Sequence, residues 1–131
     1  MVSQTVYQPR YANSWALVIG INKYQMVSPL GYARQDAEAF AAVLTSHHNF
    51  PPDNVIVLLD EDATKQNILS NFHHFQEECV SPDDRIAVFF AGHGTTRTGN
   101  RGEVGFLIPV DGASNDLATL IRWDDLTRNA D

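Results

Sequence analysis

Three apolar runs, separated by two segments of helical period, lay out the first two-thirds of the chain. Residues 15–21 (Trp15-Ala16-Leu17-Val18-Ile19-Gly20-Ile21) are almost continuously apolar, the pattern of a strand covered on both faces. From Leu30 the period changes. Leu30, Ala33, Ala37, Phe40, Ala41 and Leu44 recur at helical spacing and predict an amphipathic helix to about Ser46. A Pro-Pro loop follows, then a second strand run, Val55-Ile56-Val57-Leu58-Leu59. Residues 60–63 read as a turn, with Thr64 placed to cap a second helix that carries Ile68, Leu69, Phe72, Phe75 and Cys79 on one face. The third run, Ile86-Ala87-Val88-Phe89-Phe90-Ala91, follows the turn at residues 81–84 and predicts another strand buried on both faces.

The order strand–helix–strand–helix–strand predicts an α/β protein of three layers, α/β/α, with a mostly parallel sheet and helices on both faces. The third strand is expected to pair with the first on the side away from the second, which puts a topological switch point beside the end of the third strand. Beyond it the pattern weakens. Residues 95–102 are rich in Gly, Thr and Arg and read as a flexible loop, residues 105–111 as a short extended piece, and residues 121–126 as a helix start capped by Asp124 or Asp125. Residues 1–13 read as a flexible N-terminal arm and 14–131 as one domain.

Composition narrows the possible functions. With 44% apolar residues the chain has enough for one core. Its net charge of −7 argues against a nucleic-acid partner. A single cysteine permits no intrachain disulfide. No apolar run approaches the roughly 20 residues of a membrane span, and no signal-peptide core opens the chain, so no membrane partner and a cytoplasmic location are expected. Cys79 reads as a buried small hydrophobe, since no neighbour in its segment would lower its pKa. The adjacent pairs His47-His48 and His73-His74 point about 100° apart on a helix and make no metal clip. The loop after the first strand lacks the glycine spacing and Lys-Ser/Thr of a phosphate loop.

Chemistry is concentrated at Gly92-His93-Gly94. The third strand stops at a histidine between two residues without Cβ, at the strand end where α/β folds bind ligands. Imidazole titrates near neutrality and can both take and give a proton.

Several stretches together resemble the caspase-like cysteine peptidases, the clan of caspases, metacaspases and bacterial relatives (peptidase C14), and the metacaspase and bacterial branch most. They are residues 16–24, then Leu30 with Ala33 and Asp36-Ala37, then residues 84–94 and 105–111, in the family's order. The resemblance implies cysteine-type endopeptidase activity on a protein or peptide substrate, with His93 as acid/base partner of a thiolate and the Gly94 amide in the oxyanion hole. It aligns Asp36 with an acidic residue that selects a basic residue before the cleaved bond; the alternative use of Asp36 is a helix-start aspartate. Asp124 and Asp125 resemble paired aspartates that bind calcium in metacaspases, although Glu103 is the one carboxylate in the loop after His93, and capping is the other use of the pair.

The family's nucleophile follows the histidine by about 50 residues, which places it near position ~143. The 131 residues therefore carry the histidine and not the cysteine, and the expected sheet lacks the nucleophile-bearing strand. Two readings follow. The chain is the N-terminal part of a peptidase domain, completed by a further segment or a second chain, or it is an inactive scaffold that pairs with an active homologue.

Overall fold

The computed structural model describes residues 13–78 and 82–127. All but the last residue of the expected arm at residues 1–13, and the burial of Cys79, fall outside the described residues. Three strands, β1 (Ser14–Gly20), β2 (Val55–Leu59) and β3 (Arg85–Ala91), form a parallel sheet in the order β2-β1-β3. The third strand thus lies on the opposite side of β1 from the second, as the pattern predicts. Gly20 is in register with both Leu59 and Ala91, so all three strands end level at one edge.

Side chains alternate across a strand, and β1 feeds two cores. Leu17, Ile19 and Ile21 pack with Ile68, Phe72 and Phe75 of helix α2 (Lys65–Glu78). Ala16 and Val18 face the other way, against Ala37 and Leu44 of helix α1 (Ala33–His47), where Phe40 stacks on Phe89 at 4.3 Å. The result is the three-layer α/β/α arrangement with a helix on each face. β1 is almost wholly buried because strands flank it on both sides. β3 departs from the expectation of burial on both faces: all seven of its residues are half-buried, because it is the outer strand of the described sheet.

The second departure follows His93. Residues 94–99 and 102–107 form an antiparallel hairpin, β4 (Gly94–Gly99) and β5 (Gly102–Leu107), rather than a flexible loop. The β-branched Thr95, Thr96 and Thr98 suit a pleated surface, and their polarity concealed the strand. The turn is Asn100-Arg101, followed by Gly102 at φ +105, a left-handed conformation that glycine adopts without strain. Leu107 and Phe106 pair in turn with a short β6 (Ile121–Arg122), which runs into helix α3 (Trp123–Thr127).

The connection after β5 ties the two sheets together. Val110 accepts from Gln25 N and donates to the Ala63 carbonyl. Asp111 accepts the first amide of α2, Lys65 N, at 3.0 Å, and Thr64 Oγ1 caps the same helix by accepting from Asn67 N. Among the described residues no helix is long and apolar enough to cross a membrane.

Candidate active site

His93 sits just past the carboxyl end of β3, beside the switch point. Its Nε2 lies 2.8 Å from the Ser28 carbonyl oxygen. A carbonyl can only accept, so Nε2 carries the proton and Nδ1 is the nitrogen left with a lone pair when the ring is neutral. The Tyr24 ring leans on the imidazole, centroids 5.1 Å apart and tilted by 56°. Both Tyr24 and Ser28 belong to the segment joining β1 to α1. Burial pushes the Tyr24 phenol up to about 12, against the opposing hydrogen bond from the His93 amide, so the hydroxyl stays protonated at physiological pH.

Gly92 is explained by the same tyrosine. A Cβ at position 92 would lie 2.5 Å from the Tyr24 hydroxyl and 2.9 Å from the Phe90 ring. Only a residue without Cβ lets the phenol reach the backbone at His93.

Gly94 opens β4. Antiparallel ladders alternate hydrogen-bonded and non-hydrogen-bonded pairs. Ile108 N donates to the His93 carbonyl at 3.0 Å, which makes His93 and Ile108 a bonded pair. The next pair, Gly94 with Leu107, is therefore the non-bonded kind, and the Gly94 N–H points away from β5. That orientation is the one an oxyanion donor needs. Beside it lies an open pocket of about 520 Å³, lined by Gly94, Thr95, Phe106, Leu107 and Trp123 among others.

Asp36 lies in the first turn of α1 and is exposed, so the helix-start role is met. Because α1 starts over the carboxyl edge of the sheet, Asp36 and His93 share that edge, yet among the described residues no hydrogen bond or ion pair joins them. The carboxylate that is built into the edge is Asp60, at the end of β2, which residue patterning assigned only to a turn. It is 5% exposed and adopts φ +46, in the left-handed region that Asp tolerates better than most residues. Its Oδ1 accepts from Asn22 N at 2.8 Å and Lys23 N at 3.0 Å, while Oδ2 meets Arg34 at 2.9 Å. Burial alone would raise its pKa, but the Lys23 and Asn22 amides and the Arg34 guanidinium outweigh it and hold the carboxyl below its ordinary value.

Asp124 and Asp125 do not cap a helix. β6 runs straight into α3 at Trp123, so both lie exposed inside its first turn, with Asp124 3.7 Å from Arg122. Among the described residues no group of three or more His, Cys, Asp or Glu could hold a metal ion. Two exposed aspartates, one beside a cation, would supply only part of the six to eight oxygens calcium takes.

Sequence reading gave no site role to Tyr24, Ser28 or Asp60, although Tyr24 closes the resembling stretch 16–24. The available signal was positional: Asp60 closes a buried strand at the same edge as His93, and Tyr24 follows another by a few residues.

A parallel sheet between helices, with a histidine just past the carboxyl end of its third strand, defines an α/β/α class with a candidate site at the switch point. The sequence model of the caspase domain matches residues 13–129, and the chain belongs to the caspase domain family. It is 28% identical over 85 residues to metacaspase-1A of Aspergillus oryzae and to metacaspase-1B of Neurospora crassa, covering 60% of this chain in each case and 20% of each relative. Metacaspase-1 of Eremothecium gossypii is 28% identical over 94 residues, 67% of this chain and 21% of its own length. The match thus spans about a fifth of each of these metacaspases. In fold, the chain is similar to protein GSU0716 from Geobacter sulfurreducens, with a TM-score of 0.68 at 19% identity, over 89% of this chain and 44% of that one.

Proposed function

We propose that this chain is the histidine-bearing part of a caspase-like cysteine endopeptidase domain. The observation that carries the reading is the fixed imidazole: Nε2–H is given to the Ser28 carbonyl, which leaves Nδ1 to exchange protons with a thiol and a leaving amine. In the reaction, a thiolate attacks the scissile carbonyl and the negative charge on oxygen is met by the Gly94 N–H. His93 then protonates the departing amine from Nδ1. The pocket next to Gly94 gives substrate room beside that amide. The thiolate is that of a cysteine supplied by a further segment or a second chain, not of Cys79, which precedes the histidine. Asp36, exposed on the same sheet edge, selects Arg or Lys before the cleaved bond by charge.

The test is cleavage of peptides with Arg, Lys or Asp before the scissile bond by the protein carrying the following reading frame. His93→Ala is expected to lower turnover by at least about 100-fold. Asp36→Ala is expected to remove the preference for Arg and Lys while leaving His93-dependent turnover measurable. Undiminished cleavage by His93→Ala would sink the reading.

A second reading, an inactive scaffold that pairs with an active homologue, draws on the outer position of β3 among the described strands. It predicts binding to an active homologue through the outer edge of β3, with no thiol-dependent cleavage in any context. Failure to recover such a homologue, with cleavage present, discards it.

A further inference from the structure

We propose that Tyr24 is the positioning residue for the His93 imidazole, acting through a hydroxyl inserted into the backbone ladder where the parallel sheet passes into the hairpin. The proposal rests on the reading of His93 as the acid/base group. A bonded antiparallel pair normally exchanges two N–H···O bonds. At His93 and Ile108 only one is direct. The other is relayed: His93 N donates to the Tyr24 hydroxyl at 2.8 Å, and that hydroxyl donates to the Ile108 carbonyl at 3.0 Å. The phenol thus takes the place of a rung and holds the backbone at residue 93 away from β5.

The direction of the His93 Cβ is set by that backbone, and the ring is then caught at its far end by the Ser28 carbonyl. Tyr24 and Ser28 come from one segment, so the base of the side chain and its tip are referenced to the same piece of chain. That piece is itself pinned, by Asp60 at Asn22 and Lys23 and by Val110 at Gln25. Gly92 is the permissive partner, since a Cβ there would collide with the hydroxyl. Tyr24→Phe keeps the ring against the imidazole and removes only the rung. His93 N–H is then free to bond Ile108 directly, which draws the backbone inward and lifts Nε2 off Ser28.

The measurement is nitrogen NMR of the histidine rings at a pH where His93 is neutral, on the chain itself. The wild type is expected to show His93 as a single Nε2–H tautomer, and both Tyr24→Phe and Gly92→Ala are expected to show a mixture. Having two variants keeps the test open if one of them does not fold. In the protein with its nucleophile, Tyr24→Phe is expected to lower kcat about tenfold with KM nearly unchanged. An unaltered His93 tautomer in a folded Tyr24→Phe or Gly92→Ala protein overturns the proposal, whatever happens to thermal stability. The tautomer readout needs no catalysis. A mixed tautomer in the variants with no cleavage by the wild type upholds the positioning role and retires the peptidase reading. Cleavage by the wild type with unchanged tautomers does the reverse.

Discussion

At Asp60 one carboxylate gathers two amides from the loop after β1 and a guanidinium from α1, so three elements meet on a single ionisation. Its folded pKa lies below the ordinary value, and the sign of the linkage follows. The stabilisation is complete above the ordinary carboxylate range near pH ~4 and is lost as pH falls through the lowered folded value. Asp60→Asn keeps an acceptor and a residue type at ease in the left-handed region, and removes the charge. We expect it to cost about 1–2 kcal/mol at neutral pH in urea unfolding. The gap between wild type and variant should close as the pH drops below about 4, and a gap that persists there would refute the assignment. His93 and Gly94 were legible in the sequence because a strand run ends on them. The roles of Tyr24, Ser28 and Asp60 were not, because each acts across at least 26 positions, as in the Arg34–Asp60 and Tyr24–Ile108 bonds. Nothing local to a residue announces a partner that far along the chain.

Among elements, both long helices and all three parallel strands were readable from period alone, since each has an apolar face repeating at 3.6 or a continuous apolar run. α2 begins where Thr64 marked it. Thr64→Ala should cost about 1 kcal/mol in thermal or urea unfolding, and no change would mean that the Asp111 bond to Lys65 already suffices for that helix end. β4 escaped notice because its strand-forming residues are threonines between glycines, and a loop uses the same alphabet. What distinguishes the two is the partner strand. β5 lies across a two-residue turn, and pairing rather than composition makes β4 a strand.

For the molecule as a whole, the order β2-β1-β3 leaves the outer side of β3 without a neighbouring strand among the described residues. Its apolar side chains are half-buried, and no described strand pairs on that side, the situation in which a strand is a template for pairing. The 131-residue chain is therefore expected to associate with rising concentration. Sedimentation would show this, and a strictly monomeric species with a cooperative melt would count against it. The switch point was predictable because strand order follows from crossover rules, and the open edge of β3 because the strand expected beside it is the nucleophile-bearing one; its incomplete burial was not, since a run such as Ile86-Ala87-Val88-Phe89-Phe90 looks alike in a central or an outer strand.

The hairpin turn Asn100-Arg101 is exposed, and its strands hold their register through paired residues from Gly94–Leu107 out to Gly99–Gly102. The histidine joint lies at the opposite end of that ladder. The tip is thus a natural port for added sequence, and an epitope or a reporter grafted between residues 100 and 101 would hang in solvent without reaching the imidazole. The neighbouring loops offer no such port, because Val110 and Asp60 stitch them to one another.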